Sequence, residues 1–170
     1  HLGLAVDTSS EMAMFAGNLI DIMDVLVKRG YEVTDYEKRR EGLEKDRSVL
    51  IEKINHYMWN EQDGFYYDMT FGERQTRIKT IAGFFPLVSG VADEKQGKRL
   101  IEWLEDKETF NRVHRIPVVA ADEEGYDPRG GYWRGSVWAP TNALVTCGLE
   151  KHGFHKLARD IAINHLDVIA

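Results

Sequence analysis

The sequence predicts an all-α protein built from helical hairpins. Several segments carry apolar residues at the three-to-four-residue spacing of a helix face, and short polar or glycine-containing stretches join them. Strands do not alternate with helices along the chain, and no internal repeat sets a tetratricopeptide or ankyrin register. These observations leave three architectures open, namely a bundle, a solenoid and a helical toroid.

Two long helices are expected first. Between Thr8 and Gly30, apolar residues recur at helical spacing, with a run of hydroxyl side chains as candidate N-caps and Gly30 as terminator. A second helix is expected from Thr34 or Asp35 to about Met58, with one apolar face and charges elsewhere. Two adjacent helices of this length predict a hairpin.

An aromatic stretch then interrupts the helical pattern. Residues 59–64 have the composition of a turn, and residues 65–69 that of a short extended segment. A helix is expected again over residues 76–89, where the chain is apolar nearly all round and should be buried on more than one side. Pro86 is expected either to kink this helix or to end it.

The rest of the chain predicts three helices and one long loop. Asp93 should cap a helix that reaches Leu104. Residues 112–135 are rich in glycine and proline without a helical period, which predicts a long irregular loop, and such loops are often functional. Two helices should close the chain, near residues 136–151 and 154–169.

Composition limits the function. The chain has 170 residues, 43% hydrophobic and 29% charged, and a net charge of −6. We expect residues 1–170 to form a single soluble region that attracts neither nucleic acid nor an anionic membrane. The lone Cys147 excludes an internal disulfide and a cysteine zinc site, and it fits a reducing cytoplasm, which is slightly favoured. Because the chain begins at His1, we also expect a fragment.

The most informative segment lies within residues 126–142. It combines two tryptophans and two tyrosines with arginine and asparagine side chains on a glycine-rich loop that enters a helix. Aromatic faces stack on pyranose rings, and arginine and asparagine donate hydrogen bonds to hydroxyls, so the segment predicts a carbohydrate site. The alternative interpretation is that Trp133 and Trp138 are core anchors and that the glycines only make turns.

The segment Tyr132 to Trp138 reads Tyr-Trp-Arg-Gly-Ser-Val-Trp. It resembles the Tyr-Trp-Arg-Gly-Pro-Val-Trp signature of glycoside hydrolase family 63 and its trehalase-like relatives, with Ser136 where proline is usual. Four other segments resemble that family in the same order along essentially the whole chain: Val6-Asp7, Met58 to Asp68, Lys79 to Leu87, and Arg115-Ile116-Pro117.

This resemblance implies part of an (α/α)6 toroid, the six-hairpin glycosidase fold, with about half of the helical hairpins present. It implies an inverting α-glycosidase, similar to glucosidases and trehalases, that acts on oligosaccharides or small glycosides. By residue, it implies that Tyr132, Trp133 and Trp138 are walls of the sugar subsite and that Arg134 orients a hydroxyl or holds the loop. Asn142 is a further candidate for substrate binding.

The same resemblance places the family's catalytic acid ahead of the segment like Val6-Asp7 and its catalytic base after Ala170. We therefore expect no catalysis from this chain alone. A cluster of carboxylates beside the aromatic loop could supply an acid and a base, but solvated side chains are the more common explanation. Its members are Asp122, Glu123, Glu124 and Asp127.

No cofactor or metal site is predicted. The turn at residues 60–64 lacks the spacing of a calcium loop, and His152 and His155 have no third ligand nearby. The expected partner is an oligosaccharide or small glycoside, and the oligomeric state is left open. The alternative from another functional class is a non-catalytic helical module that binds carbohydrate or protein.

Overall fold

The computed structural model describes residues 3–169. The α-helices in this range are α1 Val6–Lys28, α2 Tyr36–Tyr57, α3 Phe85–Ser89, α4 Glu94–Glu105, α5 Ala139–Lys151 and α6 His155–Ile169. Two short 3-10 turns cover Ile81–Phe84 and Tyr132–Arg134, and four two-residue strands are β1 Gly3–Leu4, β2 Trp59–Asn60, β3 Phe65–Tyr66 and β4 Met69–Thr70. The predicted helical architecture is confirmed.

The aromatic stretch after α2 forms a small hairpin. β2 and β3 pair antiparallel, with Trp59 opposite Tyr66. β1 and β4 pair in the same sense, with Gly3 opposite Thr70. The predicted turn at residues 59–64 is therefore too long, because residues 59–60 form β2 and only residues 61–64 join it to β3. The predicted extended segment at residues 65–69 is divided between β3 and β4.

α1 begins earlier than the hydroxyl residues suggest. Its N-cap is Ala5, and no side chain from the first turn caps the helix. Instead, the amide of Val6 donates to Oδ1 of Asp68, 62 residues away, at 2.8 Å. The Oγ of Ser9 donates back to the Ala5 carbonyl at 2.7 Å. The local capping prediction is wrong because a tertiary contact supplies the acceptor.

The helix predicted over residues 76–89 is wrong in its first five residues. The chain is not helical there. Thr80 forms an isolated bridge with Val119, and the amide of Ile81 donates to the carbonyl of Val118 at 3.0 Å. Helical structure starts only at Ile81. Pro86 lies in the first turn of α3, where its missing N–H removes no helical hydrogen bond, so it starts a helix here.

The later helices follow the sequence closely. Asp93 accepts a hydrogen bond from the amide of Gln96 at 2.7 Å, and the Gln96 side chain accepts one from the amide of Asp93 at 2.9 Å. This reciprocal arrangement is a capping box, so the predicted start of α4 is confirmed. α5 and α6 are separated by Gly153, whose φ of 80° suits glycine.

The helices pack as a layer of neighbouring pairs. α1 packs on α2, α5 packs on α6, and α3 contacts both α1 and α5. The close approach of α3 and α5 depends on Gly148, because a Cβ there would lie 2.7 Å from Cβ of Leu87. Buried side chains from all these elements form one continuous core.

A group of aromatic rings occupies the core beneath the hairpin, and we call it the core aromatic cluster. Phe84 meets Phe65 and Phe110 edge to face, with ring centroids 5.3 and 4.8 Å apart. Tyr67 and Trp103 complete the cluster against Phe65, at 5.3 and 6.2 Å. Phe65, Phe84 and Phe110 are completely buried, so these rings stabilise the fold.

α1 also has an apolar face that is exposed. Met12, Phe15, Leu19 and Ile22 recur at intervals of three and four residues, and each is about half exposed. The segment from Ile81 to Ser89, which is more apolar, is instead buried. Within residues 3–169, no helix combines the length and the apolarity that crossing a membrane requires.

Candidate sugar-binding site

Three aromatic side chains of the long loop meet at the surface, and we call them the surface aromatic cluster. The indoles of Trp133 and Trp138 stack in parallel, with centroids 4.7 Å apart and planes inclined by 2°. Tyr132 lies edge-on to both indoles, at 5.8 and 5.2 Å. Tyr132 is 68% exposed and Trp133 is 49% exposed. The structure therefore brings together the three aromatic residues that the sequence singled out.

Trp138 fits the interpretation as a core anchor, whereas Trp133 fits the interpretation as part of a carbohydrate site. Trp138 is partly buried and packs against the hydrophobic core. Trp133 stacks on Trp138 from outside and remains half exposed. Trp138 thus joins the core to the surface, whereas Trp133 and Tyr132 present ring surface to solvent. A ring with solvent on one face is suited to stacking on a pyranose.

The backbone of the loop is folded back on itself to present these rings. The amide of Asp127 donates to the carbonyl of Arg134 at 2.7 Å, and the amide of Arg134 donates to that of Gly131 at 3.0 Å. Tyr132 has a φ of 51°, which is a strained value for a tyrosine. Such strain persists only where the surroundings impose it, and it concentrates at functional sites.

Two polar residues of the signature hold the loop. Arg134 donates from Nε to the carbonyl of Gly125 at 3.1 Å, which supports the loop-holding role of the two that the resemblance implies. Ser136, at the position where the family usually has proline, hydrogen bonds through Oγ to the carbonyl of Gly130. The departure from the family signature therefore adds a contact that proline could not make.

Asn142 lies beneath the surface aromatic cluster. Its side chain is 2% exposed. Its Nδ2 donates to the carbonyl of Ile116 at 3.2 Å and to that of Trp138 at 3.3 Å. The structure therefore places this side chain in contact with the backbone of the site and away from its exposed surface.

Ile116 is the most strained residue at the base of the loop. Its φ is 58°, in the left-handed region that β-branched residues rarely enter. The residue is completely buried, and its amide donates to the carbonyl of Phe110 at 2.9 Å. Asn142 holds the carbonyl on its other side. The family-like segment Arg115-Ile116-Pro117 thus connects the core aromatic cluster to the loop.

Three of the carboxylates beside the loop have structural partners. Asp122 and Glu123 pair with Lys79, at 2.8 and 3.1 Å. Asp127 accepts from the amide and from the Nε of Arg129, at 3.0 and 3.2 Å. These contacts with the Arg129 backbone and side chain lower the pKa of Asp127, so its carboxylate stays ionised. An ionised carboxylate is unsuited to protonate a leaving group.

A cavity of about 510 Å³ adjoins the same loop. Its lining includes three basic side chains, Arg112, His114 and Arg129, together with Tyr126 and Ser136. Among the described residues, no group of three or more histidine, cysteine, aspartate or glutamate side chains is arranged to hold a metal ion.

Sequence reasoning missed two residues that shape the site. Lys79 was noticed only as part of a family-like segment, yet it binds two carboxylates of the loop. Ile116 belonged to another such segment, and its backbone conformation has no signal in the residue type. The only signal in the sequence is that Lys79 lies two residues before the apolar run that starts at Ile81.

The comparisons with known proteins define the class of this chain as a glycoside hydrolase domain. The family described as "Mannosylglycerate hydrolase MGH1-like glycoside hydrolase domain" matches residues 26–169. The chain belongs to this family. The resemblance recognised from the sequence is thereby confirmed.

Two curated relatives illustrate the match. A mannosylglycerate hydrolase of Thermus thermophilus is 34% identical over 105 residues, covering 59% of this chain and 24% of the relative. A cytosolic neutral trehalase of Kluyveromyces lactis is 30% identical over 126 residues, covering 72% of this chain and 17% of the relative. The chain thus spans a quarter or less of the length of these relatives.

The fold is similar to that of solved glycoside hydrolase structures. The crystal structure of a family 63 mannosylglycerate hydrolase from Thermus thermophilus superimposes with a TM-score of 0.74 at 22% identity, covering 97% of this chain and 37% of that one. The chain therefore has the fold of one part of an (α/α)6 glycosidase, as the family resemblance implied.

Proposed function

We propose that this chain supplies one wall of the sugar subsite in a glycoside hydrolase that acts on oligosaccharides or small glycosides by inversion at an α-glycosidic bond. The observation that carries the proposal is the exposed surface aromatic cluster, a parallel indole pair with Tyr132 beside it. Stacking surface of this kind binds the apolar face of a sugar ring. Membership of a glycoside hydrolase family supports the same function.

Within this site, Tyr132 and Trp133 would contact the sugar, and Trp138 would support Trp133 from below. Arg134 and Asn142 would act on the loop backbone, since each already donates a hydrogen bond to a carbonyl there. The trehalase relatives are named as cytosolic, which supports a cytoplasmic location for this protein.

We propose further that this chain does not hydrolyse its ligand by itself. Inverting hydrolysis needs an acid and a base about 6.5–9.5 Å apart, on opposite faces of the bond. Three carboxylates of the long loop form ion pairs with basic side chains: Asp122 and Glu123 with Lys79, and Asp127 with Arg129. The acid and base would come from chain beyond these residues.

A titration with sugars tests the proposal. Glucose, mannose, trehalose and kojibiose would be added separately while tryptophan fluorescence and hydrolysis are followed. We expect saturable quenching without turnover, because the exposed Trp133 would be covered by the bound sugar. Trp133→Ala should abolish this response while leaving the helical circular dichroism unchanged.

Tyr57→Ala is the matched control, because Tyr57 is also 49% exposed but lies at the end of α2, outside the loop. It should leave the titration unchanged. Absence of any response to these sugars would contradict sugar binding and favour the protein-interaction alternative. Turnover by the purified chain would contradict the assignment of the acid and base to other segments.

A further inference from the structure

Lys79 is held between two carboxylates of the long loop. Its side chain is 13% exposed, and its Nζ lies 2.8 Å from Oδ2 of Asp122 and 3.1 Å from Oε1 of Glu123. The same ammonium lies 5.1 Å from the ring centroid of Trp103, within cation–π distance. The three contacts give this ammonium a defined position at the edge of the core.

The backbone of Lys79 contacts the same segment. Its amide donates to Oε1 of Glu123 at 2.9 Å, so this carboxylate binds both the backbone and the side chain of one residue. The carbonyl of Lys79 accepts from the amide of Ala120 at 3.0 Å. The bridge between Thr80 and Val119 continues the pairing. The start of the loop is thus fixed to the chain just ahead of α3.

A series of hydrogen bonds connects this anchor to the aromatic rings. Residues 120–126 form two successive turns, closed by the amides of Glu123 and Tyr126 on the carbonyls of Ala120 and Glu123. The carbonyl of Gly125, within the second turn, accepts from the Nε of Arg134 at 3.1 Å. Arg134 directly follows Tyr132 and Trp133, so this hydrogen bond connects the turns to the segment that carries the two rings.

The electrostatics make the anchor sensitive to loss of either charge. Burial by itself lowers the pKa of Lys79, but hydrogen bonds with Asp122 and Glu123 outweigh it and place the pKa above the ordinary value. The ammonium therefore remains charged. Removing one partner from a desolvated pair leaves the other without compensation, which costs more than breaking an exposed ion pair.

We propose that Lys79 is a positioning residue for the sugar site: its pairing with Asp122 and Glu123 sets the turns at residues 120–126 and thereby holds Tyr132 and Trp133 in register with Trp138. The part of this inference that concerns sugar rests on the proposed function. The part that concerns geometry does not, because it predicts the stacking of two indoles whether or not a sugar binds.

The stacked indoles provide a direct readout. Two stacked indoles couple electronically, and they give an exciton couplet in the far-ultraviolet circular dichroism spectrum when their transition dipoles are rotated against each other within the parallel planes. The spectrum of the parent chain is therefore recorded first to establish the couplet. The couplet is assigned by subtracting the spectrum of Trp133→Phe, which removes one indole but keeps an aromatic ring. The same subtraction is carried out in the Lys79→Met background, so that any change at Trp103 cancels.

Lys79→Met is expected to remove most of the couplet at a temperature where the helical signal is unchanged. It is also expected to raise the dissociation constant for the sugar by about tenfold, which corresponds to about 1.4 kcal/mol. Lys79→Arg should restore both, because it retains a charge that can pair with the two carboxylates. Lys98→Met is the matched control, since Lys98 pairs with Glu94 on an exposed face of α4 and is 63% exposed.

A Lys79→Met variant that melts at lower temperature but keeps its couplet would overturn the proposal, because the lysine would then have a structural role alone. A couplet that falls while the parent chain binds no sugar would support the positioning role and contradict the proposed function. If Lys79→Met does not fold, Asp122→Asn replaces it, because this change removes the more exposed of the two ion pairs. An unchanged couplet in that variant would overturn the proposal as well.

Discussion

Two aromatic clusters in this chain are built from similar rings at similar distances. In the core aromatic cluster, ring centroids lie 4.8–6.2 Å apart and the phenylalanines are fully buried. In the surface aromatic cluster, centroids lie 4.7–5.8 Å apart, yet Tyr132 and Trp133 are largely exposed. Ring type and spacing alone therefore do not distinguish a stabilising cluster from a binding one.

The difference lies in the backbone that carries each cluster. Phe65 is on β3, and Phe84 closes the 3-10 turn that leads into α3, so both are surrounded by regular elements. Trp133 is on a loop with strained residues at Tyr132 and Ile116, and this loop is held by Arg134 from within it and by Asn142 from α5. An arrangement that exposes apolar rings on a strained loop supports the proposed role in sugar binding.

The largest expected effect comes from the core aromatic cluster. Phe84→Ala should lower the free energy of unfolding by about 3–5 kcal/mol, because a buried ring is replaced by a cavity. Trp133→Ala should change it by less than about 1 kcal/mol, since the ring is half exposed. Urea denaturation of the two variants measures the contrast. Equal losses would show that Trp133 is a core residue and would remove the distinction between the clusters.

Asn142→Ala should have an intermediate effect. It removes the donor to the buried carbonyl of Ile116, and leaving that carbonyl unpaired costs about 1–3 kcal/mol. The carbonyl of Trp138 loses one donor but still accepts from the backbone amide of residue 142 at 3.0 Å. Because these carbonyls lie beneath the indole stack, the exciton couplet should weaken as well. Asn111→Ala is the control, since Asn111 donates to the carbonyl of Glu105 in an exposed position. If Asn142→Ala lowers the stability but leaves the exciton couplet intact, Asn142 stabilises the core and does not hold the indole stack.

The smallest effect should be a pH dependence of the surface aromatic cluster. Hydrogen bonds from Arg129 lower the pKa of Asp127 in the folded chain. The ionised carboxylate therefore stabilises the loop fully above the ordinary aspartate pKa of about 3.9. This stabilisation is lost as the pH falls through the lower pKa that Asp127 has in the folded chain. The couplet should therefore be constant from pH 7 to about 4 and decline below. Asp127→Asn should remove this acid-sensitive component, measured as the difference from the parent chain. The idea fails if both chains follow the same acid profile.

Much of the fold was predictable because its signals are local. Apolar periodicity predicts α1 and α2, Asp93 predicts the start of α4, and Gly153 predicts the break between α5 and α6. The error over residues 76–80 has a physical cause. The backbone of Lys79 bonds to Ala120 and Glu123, and Thr80 forms a bridge with Val119. No feature of a five-residue segment reveals partners forty residues away.

The sequence predicts which residues form the candidate site better than it predicts what each residue does there. The convergence of Tyr132, Trp133 and Trp138 was inferred from composition and family resemblance, and the structure brings these rings together. Asn142 was grouped with them because one helical turn separates it from Trp138. Whether a side chain lies at the surface or under a loop depends on packing. Here the side chain of Asn142 is buried and donates a hydrogen bond to the carbonyl of Ile116.

The sequence by itself determined the helical class, the order of the elements, the family and the aromatic residues of the loop, because periodicity, terminators and motif order are written in neighbouring residues. The tertiary structure alone decided how distant segments complete one another. Asp68 caps α1 across 62 residues, and Lys79 joins the chain ahead of α3 to the turns at residues 120–126. Such contacts depend on distances in space, which only the packed chain defines.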